Sequence, residues 1–397
     1  MKPWQIKALL VLTSFLVSLI VAEAGLRLFK IEYPSFFDFD PFVGLKLRPG
    51  LKGYWLQEGG GYVSINSDGL RDREHAISKP PHTLRIAVLG DSFTEAFQVN
   101  QEENFCAILE KNLKGCANLE GRQVEVINFG HSGFGTAQEL LALRHWVWKY
   151  SPDVVLLAFF TGNDISDNSR ALQPGNQQEN QTPYFVYQGG RLVLDDRLTR
   201  EKWAKAQARD SWWRRFARWR FDHFRVIQVL AYVQRGFPTF WASQETKDGT
   251  HQEIGIYDNV YLPPPTEVWQ EAWRVTEGLL LLMRDEISRR GAKFYLVVLS
   301  NAIQVHPDPA VRVEFAQKLG VNDLFYPDRR LEDFCRSADI PVLLLAPPFQ
   351  AYATTHKVYF HGFKSGFKNT LGAGHWNRNG HRLAGEMLAK WLCGQIH

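Results

Sequence analysis

Cysteine is scarce in this chain, with four among 397 residues. None is spaced with histidine as a metal centre requires, so no metal and no cofactor is called for. Cys106 and Cys116 flank a short helical pattern, while Cys335 and Cys393 lie far apart. In an oxidising compartment a Cys335–Cys393 bridge is one reading, and ordinary buried thiols are the other. Charge of one sign is also lacking: the net charge is +4 and the pI about 8.7, too little to call for nucleic acid as a partner. There is no internal repeat. Aromatic residues are plentiful, at 13% with 13 Trp, which supplies a sizeable core and excludes global disorder.

One long apolar run is present, from Ala8 to Ala22, and Lys2 and Lys7 precede it. This is the pattern of an export signal. Either Ala22-Glu23-Ala24 is cleaved to release a soluble protein, or the helix continues through Phe29 as a single-pass inner-membrane anchor. In the second reading Arg27 reaches back to the lipid interface. Both readings put the rest of the chain on the extracytoplasmic (periplasmic) side, because the lysine pair stays inside. Residues 1–29 form this segment.

Residues 30–83 read as an irregular, β-rich extension, punctuated by Pro34, Pro41, Pro49 and Gly59-Gly60-Gly61. Tyr62 to Asn66 alternates like an exposed strand, followed by a turn at Ser67-Asp68-Gly69. From residue 84 to 397 strands and helices alternate. Strands are expected at Leu84–Leu89, Val124–Asn128, Val154–Phe160, Phe294–Ser300 and Pro341–Leu345. Helices are expected at Asn104–Leu113, Ala137–Tyr150, Thr266–Arg290, Arg329–Ser337 and Gly380–Cys393. Five such strands predict an α/β fold with a five-stranded parallel sheet covered on both faces. The alternation breaks at about 166–255, an insertion. Tyr184–Leu194 reads there as a hairpin around Gly189-Gly190. A segment rich in Trp and Arg follows, with Trp212, Phe216 and Trp219 on one helical face and Arg214, Arg218 and Arg225 on another. It reads either as a membrane-interfacial or anionic-polymer surface, or as a helix packing its aromatic face on the body.

Four segments end strands or open helices. They are Gly90-Asp91-Ser92, the run from Asn128 through Gly133 to Thr136, Gly162-Asn163-Asp164, and Gly374-His375-Trp376-Asn377. Acyl transfer from an ester needs a nucleophile, a base and donors for an oxyanion. Ser92 supplies the hydroxyl and His375 the base that later protonates the leaving alcohol. The N–H groups of Ser92 and Gly133 and the amide of Asn163 suit the oxyanion hole. Asp91 and Asp164 read as turn-stabilising residues rather than acids. His131 either lines the pocket or bonds only locally. His381 reads as packing or capping, and nothing in their spacing requires His356 or His361 to meet substrate.

In this order and context the four segments resemble the SGNH hydrolases, the GDSL lipase/esterase superfamily, whose signature Ser, Gly, Asn and His map to Ser92, Gly133, Asn163 and His375. The resemblance covers about 84–165 and 255–393. It implies a flavodoxin-like three-layer α/β/α fold and hydrolysis or transfer of acyl esters. Ile65-Asn-Ser-Asp-Gly-Leu-Arg71 is similar to a feature of membrane-anchored bacterial members associated with exported polysaccharides.

One residue of the pattern is missing. Many members carry an Asp two or three positions before the histidine to orient its ring, and here those positions hold Ala373 and Gly372. Three readings follow: a backbone carbonyl near Gly372 completes a Ser–His dyad, a carboxylate from elsewhere serves, or catalysis is lost. The leading expectation is an exported serine esterase acting on acyl, especially acetyl, esters of a small molecule or glycan through an acyl-Ser92 intermediate. An O-acyltransferase on the same site and a non-catalytic glycan-binding or assembly protein are the alternatives.

Overall fold

The computed structural model describes residues 2–173, 182–242, 257–365 and 368–396. Helix α1 (Pro3–Leu28) carries the apolar run and buries none of its residues. Among the described residues it is the one helix long and apolar enough to cross a membrane. Two antiparallel hairpins follow, β1 (Phe37–Asp40) with β2 (Gly44–Leu47) and β3 (Lys52–Tyr54) with β4 (Tyr62–Ser64). The alternating part begins with β5 (Thr83–Gly90), the one-turn helix α2 (Ser92–Glu95), α3 (Phe105–Leu113), β6 (Gln123–Asn128), α4 (Thr136–Ala142), β7 (Val154–Phe160) and the short α5 (Asp164–Asp167). The insertion holds a hairpin, β8 (Tyr184–Gln188) with β9 (Arg191–Asp195), and the helices α6 (Arg197–Ala208), α7 (Trp212–His223) and α8 (Arg225–Ala242). Then come α9 (Glu267–Arg289), β10 (Lys293–Leu299), α10 (Pro309–Leu319), α11 (Tyr326–Ser337), β11 (Val342–Leu344), α12 (Ala346–His356) and, after a minimal hairpin, α13 (Arg378–Gln395).

The five central strands are parallel throughout, in the order β6-β5-β7-β10-β11. In order of appearance this is 2-1-3-4-5, the doubly wound flavodoxin-like arrangement. Its winding reverses between β5 and β7 and leaves a crevice at their carboxyl ends. The runs Ile86–Leu89, Val154–Phe160 and Leu296–Leu299 are buried on both faces, as helices on either side of a parallel sheet require. Helix α9 covers the sheet with Trp269, Trp273, Leu280, Met283 and Ile287, one apolar stripe at helical spacing. Its start is fixed by Thr266, whose hydroxyl accepts the Trp269 N–H at 3.4 Å.

Several expectations are corrected. Cys393 is bonded to Cys116, with Cα atoms 5.7 Å apart, not to Cys335; Cys335 and Cys106 are buried free thiols. Cys335 lies on the inward face of α11, so its thiol packs in the core. The helix expected over Ala137–Tyr150 is α-helical only to Ala142. It then passes through a π turn (Leu143–Val147) and a 3₁₀ turn (Trp148–Tyr150). The β4 segment is not exposed: Val63 and Ile65 join Phe36, Leu47 and Phe97 in a second small core.

That second core is how the extension is held. Phe97, just beyond α2, makes ring contacts with Phe36, Phe37 and Trp55 at 5.2–5.9 Å. Further along, Asn66 folds the Ser67–Leu70 turn by accepting the N–H groups of Asp68 and Leu70 through its Oδ1. Arg71 follows, buried, with its guanidinium on the Val99 carbonyl. Buried Arg85 of β5 pairs with Glu125 directly across on β6 at 2.6 Å and donates to the carbonyls of Ala76, Ile77 and Tyr150. The extension is thus fastened at its middle and its end to the sheet it precedes.

Candidate active site

Ser92 sits where β5 ends. Asp91 caps the following turn, accepting the Phe93 N–H at 2.9 Å, and this aims the Ser92 side chain out over the sheet edge. The turn is tight because Gly130, at the end of β6, comes close beneath it. A Cβ on Gly130 would lie 2.4 Å from the Glu95 nitrogen. His375 arrives from the loop before α13, and its Nε2 lies 2.8 Å from the Ser92 hydroxyl.

The group that orients His375 is Glu58. Its Oε2 lies 2.5 Å from His375 Nδ1, and its Oε1 accepts the His375 backbone N–H at 2.9 Å. One carboxylate therefore fixes both the ring and the backbone of His375. With Nδ1–H donating to Glu58, Nε2 is left to accept the Ser92 proton. Of the three readings left open, the carboxylate from elsewhere is the one seen, and it comes from the N-terminal extension. The expected acceptor, a backbone carbonyl in this loop, is used otherwise: the Gly374 carbonyl is 2.7 Å from His361 Nδ1. Glu58 also explains Gly374. At its φ of +79° and with Glu58 Oε1 2.3 Å from where a Cβ would stand, only glycine fits.

Burial alone would push the Glu58 carboxyl up and the His375 imidazole down. Their mutual hydrogen bond and charge outweigh it, so Glu58 is held below the usual carboxylate range and His375 above the usual imidazole range. Phe93, with its ring 4.9 Å from His375, and Trp376 form the apolar floor.

Asn163 begins the turn after β7, on the other side of the crevice. Its amide Nδ2 donates to Asp91 Oδ2 at 3.4 Å, so it is tied to the residue beside Ser92. Gly133 lies in the turn after β6 at φ +78°. Its neighbour Ser132 donates to Glu95 of α2, which draws the Gly133 loop onto the helix that Ser92 opens. Among the described residues, neither the Ser92 nor the Gly133 N–H donates a hydrogen bond. The structure thus joins Ser92 and His375 directly and ties the Asn163 and Gly133 turns to Ser92's immediate neighbours.

The remaining polar residues have local duties. Asp164 accepts the Phe160 N–H at 2.7 Å, closing the turn. His131 bonds the Ser132 carbonyl and stacks on Phe134, and burial pulls its imidazole down to about 4. His381 stacks on Phe105. His361 braces the loop from below, with Nε2 3.1 Å from the Ser300 hydroxyl, and His356 lies against the Tyr352 ring at the end of α12, with ring centres 4.2 Å apart. Glu95 lies buried under the site, and burial pushes its carboxyl up to about 7.

Sequence reasoning missed Glu58, which stands 34 residues before Ser92 in a segment with no regular pattern. A signal was present, though. The three glycines that follow it mark a close backbone approach: side chains at Gly59 and Gly61 would strike the Gln98, Phe97 and Val99 carbonyls.

No family model and no curated protein matches the chain. Solved structures do. An acetyl xylan esterase is similar at 14% identity over 78% of this chain and 98% of its own, with a TM-score of 0.37. A lipase/acylhydrolase from Enterococcus faecalis is similar at 14% identity over 79% and 97%, with a TM-score of 0.36. A two-domain esterase active on acetylated mannans is similar at 11% identity over 79% and 50%, with a TM-score of 0.36.

Proposed function

We propose that this chain is a serine esterase of the SGNH type with Ser92 as nucleophile, His375 as general base and acid, and Glu58 as the carboxylate that orients and charges the base. The observation that carries this reading is the unbroken chain of short contacts from Glu58 through His375 to the Ser92 hydroxyl. As Ser92 Oγ attacks an ester carbonyl, His375 takes its proton. The imidazolium that forms is stabilised by Glu58. The Ser92 and Gly133 N–H groups and the Asn163 amide receive the oxyanion. His375 then gives its proton to the leaving alcohol, and water attacks the acyl-serine by the reverse path, regenerating Ser92 and releasing the acid.

The apolar segment with Lys2 and Lys7 before it supports an uncleaved anchor in the inner membrane with the catalytic body on the periplasmic side. The similarity of Ile65–Arg71 to a feature of membrane-anchored members associated with exported polysaccharides supports a substrate among acylated, especially acetylated, exported glycans. The test is hydrolysis of an activated acetyl ester by the purified full chain. Ser92→Ala and His375→Ala should each lower kcat/KM by at least about a thousandfold, since groups acting as one unit fail together. Equal activity in both variants and the native chain would overturn the assignment.

A further inference from the structure

The aromatic-basic segment of the insertion takes no part in this chemistry, and its placement is informative. Glu23 and Arg27, at the outer end of α1, form an i,i+4 ion pair. Glu23 Oε2 also accepts the Val226 N–H at 3.0 Å, and the Arg27 guanidinium bonds the His223 carbonyl. The junction of α7 and α8 is therefore seated on the last turn and a half of α1.

Depth follows from helix geometry. From Lys7 to Arg27 is 20 residues, about 30 Å at 1.5 Å per residue, the thickness of the hydrocarbon layer, and Glu23 stands one turn before Arg27. Glu23 and Arg27 thus fall at the outer boundary of the lipid, and what they hold lies at headgroup level. Trp219 stands one turn before His223, and Trp212 about 16 Å before it along α7.

On α7 and the start of α8 the side chains are unusual for a solvated surface. Trp212 and Trp213 are 58% and 63% exposed and stack on each other; Phe216, Trp219 and Phe224 are also exposed, and Leu230 of α8 is 62% exposed. Arg220 lies beside these rings, its guanidinium 5.6 Å from the centre of Phe216, and has no acidic partner among the described residues. The opposite side of the same helices is fastened to the extension by three ion pairs: Arg218 with Asp38, Arg48 with Asp222, and Arg225 with Glu32. Aromatic rings with basic neighbours at this depth have the composition of an interfacial helix.

We propose that α7 and the start of α8 form a platform lying in the anionic headgroup layer of the membrane that α1 spans, holding the extension and the catalytic body at a fixed height. The proposal rests on the anchor reading of α1 and not on the esterase assignment. Its occupant is lipid: the exposed rings with basic side chains beside them suit the boundary between acyl chains and anionic headgroups, and the α7–α8 junction is held at the end of the span.

The test uses the full chain in vesicles of phosphatidylethanolamine and phosphatidylglycerol. Nitroxide labels are placed by Trp213→Cys, Trp219→Cys and, as a control on exposed α10, Val313→Cys. The native thiols are buried or bridged and do not compete. Labels at 213 and 219 should be reached by oxygen and shielded from a water-soluble nickel complex several-fold more than the label at 313. Equal nickel access at all three sites, in protein that resists alkaline carbonate extraction, overturns the platform while leaving the anchor. Extraction by carbonate overturns the anchor itself. Shielding in native membranes but not in pure lipid overturns lipid as the occupant and points to a protein partner.

Discussion

At the scale of single residues, the site turns on one carboxylate. Glu58 supplies both a charge and two hydrogen bonds to His375, so its removal is expected to do more than loosen a contact. Glu58→Gln keeps the shape and loses the charge, and kcat should fall by about a thousandfold or more, the scale seen when a triad acid is neutralised. The pH profile carries the separate signature. The base works only as neutral imidazole, so kcat/KM should rise with pH through an ionisation above the usual imidazole value, because Glu58 favours the charged form. In Glu58→Gln that midpoint should move down. A lower rate with an unmoved midpoint would mean that Glu58 merely packs. The signature residues Ser92, Gly133, Asn163 and His375 were legible in the sequence because each stands in a short motif at a strand or helix end. Glu58 was not, since an acid that reaches its histidine across 317 positions shares no motif with it, and the glycines after Glu58 mark a close approach without showing what is approached.

At the scale of elements, the parallel strands were readable to within a residue or two, because strands buried on both faces must be nearly continuous apolar runs. Helices α10 and α12 were not anticipated; both carry weak amphipathic patterning, and α12 opens on Pro347-Pro348. Tyr62–Asn66 reads as an exposed strand because Val63 and Ile65 are buried against Phe97, which belongs to another part of the chain. Phe97 is therefore expected to couple stability to catalysis. Phe97→Ala should cost about 3–5 kcal/mol, the usual range for a buried phenylalanine. It should also speed proteolysis within residues 50–65 and lower kcat with the same downward pH shift as Glu58→Gln, while Phe97→Leu recovers most of both. Loss of stability with an unchanged pH midpoint would separate the extension's packing from its placement of Glu58.

At the scale of the whole molecule, two long-range ties close the fold around the sheet. One is the extension, which runs from the end of α1 and reaches His375 through Glu58. The other is the Cys116–Cys393 bridge, which joins the loop after α3 to the end of α13, the helix that follows His375, across 277 positions. Sequence could not choose this pairing, because four cysteines allow several and only the packing of α13 against α3 brings the two together. Reducing the bridge is expected to lower the unfolding free energy by about 2–4 kcal/mol, read from denaturant midpoints with and without reductant. Cys335→Ser should leave the effect of reductant intact, whereas Cys393→Ser should abolish it.

The central claim is that Ser92 is a nucleophile activated through His375 by Glu58. A fluorophosphonate probe, with the adduct mapped by peptide mass spectrometry, tests it in the folded full chain without knowledge of the substrate. The account predicts a single adduct on Ser92, none in Ser92→Ala, and labelling slowed at least about a hundredfold in Glu58→Gln. An adduct on another residue, or equal labelling rates in the native chain and Glu58→Gln, would contradict it.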